Sequence, residues 1–260
     1  MKAIVLAAGY ATRLYPLTEN RAKPLLPVGG RPLLDYIVDR LDEVAEVDTV
    51  HVATNHKFAD SFVRWADERE PGRVRLVIHD DRTTNEDDRL GAIGAVRFVV
   101  DEAGLEGDDL LVVAGDNLFD FSLDDYVRWW REKGEASAVA LYDVGDVELA
   151  RKYGIVAVAD DERIESFEEK PERPQSTLAA TAAYVYHRAH VPLVDRYLAE
   201  GNSPDQPGRF IAWLYTRAPV FGQRVDGEWR DIGDADQLLE ADNRLRARAG
   251  LPLRDSYSPD

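Results

Sequence analysis

The 260-residue sequence contains no cysteine, and only six of its 32 basic residues are lysines. Without cysteine, disulfide bonds and thiolate zinc sites are excluded. No run of eighteen or more apolar residues is present to form a transmembrane helix. Met1-Lys2-Ala3 leads directly into an apolar run, without the pattern of a secretory signal. These absences favour a cytoplasmic protein.

Positive charge is also scarce, since 49 acidic residues give a net charge of −17. Such a chain should be repelled by nucleic acids and anionic membranes, so neither is expected as a partner. Abundant acid with little lysine fits either a surface adapted to high salt or an ordinary acidic cytosolic protein. With so few lysines, Lys23 and Lys170, which lie in motif-like contexts, are not expected to be generic surface residues.

Apolar residues make up 45% of the chain, which predicts a sizeable core. Strand-like apolar runs occupy 3–7, 50–53, 74–78, 110–114, 136–142, 155–158, 179–186 and 220–225, and helix-like stripes occupy 32–45, 58–65, 90–100, 191–199, 209–215 and 234–248. Their alternation predicts an α/β fold with a mostly parallel mixed sheet and helices on both faces. The tail after Gly250 is expected to fray.

The loop after the first apolar run is the most informative segment. Residues 6–28 read L-A-A-G-Y-A-T-R-L-Y-P-L-T-E-N-R-A-K-P-L-L-P-V. Ligands of open α/β sheets bind at the carboxyl ends of strands, where this loop places backbone N–H groups with Arg13 and Lys23. Such groups suit a polyphosphate. The loop lacks both the glycines of a dinucleotide-binding turn and a Walker P-loop.

This segment resembles the signature of the sugar nucleotidyltransferases, L-A-A-G-x-G-T-R-L-x-P-L-T followed by K-P-x-x-P-V, with Ala11 at the second glycine. The resemblance implies a three-layer Rossmann-like, glycosyltransferase-A-like fold. It also implies a reaction that joins a nucleoside triphosphate to a sugar 1-phosphate and releases pyrophosphate. The nucleotide would then contact Ala7, Ala8, Gly9, Tyr10, Ala11, Thr12, Arg13 and Lys23.

One domain is expected over residues 1–260. Residues 1–135 would bind mainly the nucleotide, residues 136–232 mainly the sugar phosphate, and residues 234–248 would form a closing helix. No repeat, low-complexity tract or linker interrupts the chain.

Two carboxylates stand in motif-like contexts. Asp116 ends an apolar run in V-V-A-G-D-N, and Asp231 lies in E-W-R-D-I-G-D. Taken alone, Asp116 fits a turn at the end of a strand better than a metal ligand, and a second cap or a turn is the alternative for Asp231. The resemblance implies that they hold Mg²⁺, an ion that prefers one or two carboxylates plus substrate phosphates, and that Asp116 also contacts the nucleotide. Asp234, spaced three residues before Gln237, is expected to cap the last helix.

The segments R-K-Y-G (151–154) and F-E-E-K-P (167–171) resemble the sugar pocket of the same family. A short charged turn before proline is the plain alternative. The resemblance implies that Lys170 holds the sugar phosphate and that Glu169 contacts sugar hydroxyls. The rest of this pocket would comprise Asn117, Tyr153, Gly154, Thr181 and Trp229. After Thr181 this chain has Ala182, where the family normally has glycine.

The base pocket departs most from the family pattern. The family usually has a glutamine after the third strand, whereas this chain has His79-Asp80-Asp81; Gly91 fits as a backbone contact to the base. The resemblance favours dTTP or UTP with glucose 1-phosphate, but the missing glutamine leaves the base open. Arg13, Lys23 and Lys170 would be the catalytic cations.

Two alternatives remain open from the sequence. One is a non-catalytic regulatory or binding paralogue on the same fold, and the other is a cytidylyltransferase that acts on a phosphorylated alcohol. The resemblance is also compatible with a homo-oligomer.

Overall fold

This computed structural model describes residues 1–259, which form thirteen strands and eight α-helices. The strands are β1 Lys2–Leu6, β2 Pro27–Val28, β3 Arg31–Pro32, β4 Thr49–Thr54, β5 Arg75–Asp80, β6 Leu110–Ala114, β7 Asn117–Phe119, β8 Ser137–Asp143, β9 Gly154–Val158, β10 Ile164–Glu169, β11 Leu178–Tyr186, β12 Val220–Arg224 and β13 Trp229–Asp231. The helices are α1 Leu33–Asp42, α2 Ala59–Glu68, α3 Gly91–Ala103, α4 Leu123–Arg131, α5 Val147–Ala150, α6 Leu193–Ala199, α7 Pro207–Leu214 and α8 Ala235–Arg248. None of the helices within residues 1–259 combines the length and apolarity needed to cross a bilayer.

A nine-stranded mixed sheet forms the centre of the molecule, with strand order β10-β9-β11-β6-β1-β4-β5, while β8 pairs with β11 and β12 with β8. Strands β6, β1, β4 and β5 are mutually parallel. Strand β11 runs antiparallel to β6 and β8 and joins this parallel part to the rest. The predicted α/β fold with a mixed sheet is confirmed.

Both faces of the sheet are covered by helices. Successive residues of a strand point to opposite faces, so Val5 packs in one cluster with α1, α2 and α4, while its neighbour Ile4 packs in another with α3, α6 and α7. The predicted three-layer arrangement is therefore confirmed.

Helix α4 was absent from the sequence predictions although its pattern is visible. Leu123, Tyr126, Val127 and Trp130 are buried at helical spacing. Ser122 caps the helix by accepting a hydrogen bond from the Asp125 N–H at 3.0 Å. The stripe and its cap were both readable, so this helix could have been found.

The C-terminal tail does not fray in residues 251–259. The side chain of Asn243 binds both the backbone N–H and the backbone carbonyl of Arg254, each at 2.7 Å. The Tyr257 hydroxyl donates to the Pro27 carbonyl at 2.8 Å. The expectation of fraying was wrong, because α8 and the signature loop supply partners that composition does not reveal.

Asp109, directly before β6, connects the start of this strand to Arg131 and Arg188. This carboxylate is 1% exposed. It accepts hydrogen bonds from the backbone N–H and the guanidinium of Arg188, at 2.9 and 2.7 Å, and from Arg131 at 2.9 Å. Burial alone would raise the pKa of Asp109, but the hydrogen bonds from Arg188 and Arg131 outweigh it and hold the pKa well below its ordinary value.

Asp109→Asn should therefore lower the free energy of unfolding near neutral pH by about 1–3 kcal/mol. The pKa of Asp109 is lower in the folded than in the unfolded protein, so its carboxylate stabilises the fold at pH values above the unfolded-state pKa of about 3.9. This stabilisation is lost as the pH falls below that value. The difference between the two proteins should accordingly shrink between about pH 5 and pH 3. Urea unfolding across this range measures it, with the exposed Asp67→Asn as control. An unchanged difference at pH 3 would contradict the assignment.

Candidate active site

Two adjoining clefts open at the carboxyl ends of β1 and β6. The first has a volume of about 460 Å³ and the second about 310 Å³. Both are lined by Ala114, Asp116, Pro207 and Asp231. The two carboxylates expected to hold a metal therefore lie at the junction of the clefts.

The first cleft collects nearly all the residues that were predicted to bind a nucleotide. Its lining includes Ala8, Gly9, Tyr10, Ala11, Thr12, Arg13, Lys23, Gly91 and Asp116. Ala7 is not among them: it is buried beneath the loop, and its N–H donates to the Ala53 carbonyl at 2.9 Å.

Two alanines at the clefts occupy left-handed backbone positions. Ala11 has φ 48° and Ala182 has φ 57°. Both stand where the sugar nucleotidyltransferase pattern has glycine, the residue that adopts positive φ without a steric penalty. The two departures from the family pattern thus place strain beside the first and the second cleft.

Lys23 links three segments at the junction. Its Nζ donates to Asp116 Oδ2 at 2.6 Å and to the Ile232 carbonyl at 2.5 Å. The Asn117 amide holds the other Asp116 oxygen at 2.9 Å. Asp231 lies opposite Asn117 in the short ladder of β13 and β7, which explains how residues so far apart in sequence meet.

The environment of the two carboxylates suits a divalent cation. Burial, followed by the negative charge of Asp116, raises the pKa of Asp231 to about 6, against smaller lowering effects of Lys23, Lys170 and Arg13. Two anionic oxygen donors that repel each other in a poorly solvated place are what a hard cation neutralises. No cluster of three or more His, Asp or Glu side chains suited to a metal occurs within residues 1–259. Substrate phosphates would have to complete the coordination.

The second cleft contains most residues predicted for the sugar phosphate. Its lining includes Asn117, Tyr153, Gly154, Glu169, Lys170 and Trp229. Thr181 lies outside it, with its hydroxyl donating to the Ala140 carbonyl at 3.0 Å. The Thr181 carbonyl instead accepts from Trp229 Nε1 at 3.1 Å, so this threonine supports the cleft wall from behind.

Glycines make room for Glu169 between β9 and α7. A Cβ on Gly154 would lie 3.0 Å from Glu169 Oε2, and one on Gly208 would lie 3.2 Å from it. Burial raises the pKa of Glu169, while Lys170 lowers it less. Lys170 itself has φ 50°, and its N–H donates to the Tyr153 carbonyl at 3.0 Å. This backbone turn places the carboxylate and the ammonium side by side at the cleft.

Four further charged residues line the first cleft and were not predicted, namely Asp81, Glu86, Arg89 and Asp205. Arg89 pairs with Glu86 and, at 3.4 Å, with Asp205. Asp205 lies 116 residues from Arg89 in the chain, so no local pattern in the sequence indicates that the two side chains meet.

The comparison with known protein families agrees with this geometry. The model of the family described as nucleotidyl transferase matches residues 2–248. The chain belongs to this family. The resemblance seen in the signature loop is thereby confirmed.

Individual relatives are similar over most of this chain. The UTP–glucose-1-phosphate uridylyltransferase AglF of Haloferax volcanii is 30% identical over 254 residues, which cover 95% of this chain and 97% of that protein. The bifunctional protein GlmU of Methanocaldococcus jannaschii is 28% identical over 98% of this chain, but this is only 56% of its own length. Several other curated relatives are likewise matched over about half to two thirds of their length.

Solved structures show the same fold. A Bacillus anthracis protein described as a glucose-1-phosphate thymidylyltransferase superposes with a TM-score of 0.82 at 25% identity, over 95% of both chains. An apo UDP-glucose pyrophosphorylase gives a TM-score of 0.80 at 20% identity. The predicted Rossmann-like nucleotidyltransferase fold is confirmed.

Ala11→Gly should raise the free energy of unfolding by up to about 1 kcal/mol, since relief of the left-handed strain exceeds the extra entropy of the unfolded chain. The matched control is Ala66→Gly within α2, which should lower it by about 1 kcal/mol. Urea unfolding of both variants tests the prediction. An equal decrease in the free energy of unfolding of both variants would show that the backbone at Ala11 is not strained.

Proposed function

We propose that this chain transfers a nucleotidyl group from a nucleoside triphosphate to a sugar 1-phosphate and releases pyrophosphate. The observation that carries this proposal is the meeting of two clefts at Asp116 and Asp231 beside the ammonium of Lys23. A nucleotide in one cleft and a sugar phosphate in the other would bring their phosphates together at this point.

The signature loop would hold the triphosphate. Backbone N–H groups of residues 9–12 would cradle the phosphates, and Arg13, which is exposed in the same cleft, would hold the departing pyrophosphate. Lys23 is fixed at the junction by Asp116 and Ile232, so its charge lies where the α-phosphate would be. These cations would stabilise the charge that develops during nucleotidyl transfer.

The sugar phosphate would be oriented by Lys170, with Glu169 contacting sugar hydroxyls. Its phosphate oxygen would attack the α-phosphorus in line as the bond to the β-phosphate oxygen breaks. A phosphate monoester has a second pKa of about 6, so the nucleophile is largely a dianion at neutral pH and needs no general base. This agrees with the cleft linings, in which no histidine of residues 1–259 takes part.

Asp116 and Asp231 would hold Mg²⁺, which supplies charge neutralisation across the two substrates when bound. The hard oxygen donors and their mutual repulsion support this ion. Lys23 and Asn117 would keep Asp116 oriented towards the junction in both the free and the bound protein.

Similarity to known proteins identifies the class of substrates only in part. The resemblance favours dTTP or UTP with glucose 1-phosphate, and the relatives include proteins named as glucose-1-phosphate uridylyltransferases and as glucose-1-phosphate adenylyltransferases. These names support the sugar 1-phosphate class and leave the base to be decided by the cleft itself.

A matrix of the common nucleoside triphosphates against sugar 1-phosphates, assayed for pyrophosphate release at low and high salt, tests the proposal. We expect turnover with at least one pair, and we expect a chelator to abolish it. Silence of the folded protein with every pair in the presence of Mg²⁺ would favour a non-catalytic paralogue instead.

Arg13→Ala and Lys23→Ala should each lower kcat by about 10²–10³, the usual effect of removing one electrostatic donor. Asp116→Asn should be at least as severe, because it weakens the cation site. Arg64→Ala, which removes an exposed cation outside both clefts, is the control and should leave kcat unchanged. Near-normal turnover of either cation variant would contradict the role given to that residue.

A further inference from the structure

The ammonium of Lys23 is the counter-ion of both carboxylates at the junction of the clefts. It donates to Asp116 Oδ2 at 2.6 Å, and its second bond goes to the carbonyl of Ile232, the residue that directly follows Asp231. Of the positive charges that act on Asp231, that of Lys23 is the strongest. One cation of the chain itself therefore compensates two acids.

The segment that carries Lys23 is held in place by α8 and the C-terminal tail. The Lys23 side chain is 11% exposed. A few residues further on, the Gly29 N–H donates to the Asp242 carboxylate of α8 at 2.7 Å, and the Pro27 carbonyl accepts from the Tyr257 hydroxyl at 2.8 Å. Since the backbone and the ammonium are both fixed, the positive charge stays beside the carboxylates in the substrate-free protein.

The charges around Asp231 do not favour a free divalent cation. Asp116 adds one negative charge, whereas Lys23, Lys170 and Arg13 each add a positive one. In the part of the chain that the structure describes, no third carboxylate or imidazole joins the two acids in a group suited to a metal. A divalent cation would thus meet two ligands and three like charges at this junction.

A bound triphosphate reverses this balance. Its phosphates are negatively charged at neutral pH, and their oxygens are ligands that Mg²⁺ takes together with one or two carboxylates. In the first cleft their charge would offset the charges of Lys23 and Arg13, which line it. The same nucleotide therefore supplies ligands for the metal and offsets the charge that opposes it.

We propose that Lys23 keeps Asp116 and Asp231 from binding a divalent cation strongly until a nucleotide is bound, so that metal and nucleotide bind cooperatively. The inference rests on the proposed function and concerns how its substrate-binding site is assembled. A cation centre that forms before the substrate binds is the alternative. The two differ in one measurable quantity, the affinity of the substrate-free protein for the metal alone.

Mn²⁺ binding to the substrate-free protein, measured by electron paramagnetic resonance, tests the proposal without an activity assay. A pH of about 8 lies above the pKa of about 6 of Asp231, so competition by protons is small. The double variant of Asp116→Asn with Asp231→Asn measures weak binding by the rest of the acidic surface. Above this background we expect the wild-type dissociation constant to be on the order of 1 mM or higher.

Lys23→Met removes the charge and keeps the length of the side chain. We expect it to bind one Mn²⁺ at least about tenfold more tightly than the wild type, because the two carboxylates lose their counter-ion. Adding Asp231→Asn to Lys23→Met should abolish this gain, which would place the bound cation at the junction.

Two variants serve as controls. Lys23→Arg keeps the positive charge and should bind Mn²⁺ as weakly as the wild type. Lys133→Met removes a lysine that pairs with Glu162 at 2.5 Å outside both clefts, and it should also leave the affinity unchanged. A gain in Lys133→Met equal to that in Lys23→Met would show a general effect of net charge and overturn the inference.

Equal Mn²⁺ affinities of the wild type and a folded Lys23→Met would also overturn the inference, and pyrophosphate release by the wild type would still support the proposed function. A wild-type dissociation constant of about 10 µM or lower would overturn the inference even where Lys23→Met does not fold. Absence of pyrophosphate release with every substrate pair would instead overturn the proposed function, whatever the metal affinities.

Discussion

The bond between Lys23 and Asp116 is the interaction on which the rest of the site depends. Burying an ammonium is costly unless it is paired and hydrogen-bonded. Here the Nζ meets both a carboxylate oxygen and the Ile232 carbonyl. The signature loop, the end of β6 and the segment after β13 are therefore held at one point. Because three distant parts of the chain meet there, the two clefts share a fixed junction.

Repulsion between the carboxylates complements this attraction. Burial, followed by the negative charge of Asp116, raises the pKa of Asp231 to about 6. Left-handed backbone at Ala11, Lys170 and Ala182 surrounds the same junction. Backbone strain and repulsion between like charges are common at functional sites, where a bound ligand would relieve them. The buried sheet beneath the clefts stabilises the fold against both.

The lining of the first cleft comes from two kinds of segment. The junction is built from strand ends, whereas Asp81 and Arg89 lie on the connection between β5 and α3. Loops of this kind vary without disturbing the core beneath them. Membership of the nucleotidyl transferase family is therefore compatible with His79-Asp80-Asp81 at the position where the resemblance implied a glutamine.

The sequence by itself determined the α/β class, the signature loop and the Gly-Asp-Asn element, since each depends on local periodicity or a continuous motif. Resemblance also pointed to Asp231 and Lys170. Only the tertiary structure decided that Asp205 pairs with Arg89, that Asp81 rather than Asp80 faces the cleft, that Ala7 and Thr181 lie behind it, and that Tyr257 fastens the tail. These facts depend on contacts between segments far apart in the chain or on the direction of one side chain, and neither leaves a periodic trace in the sequence.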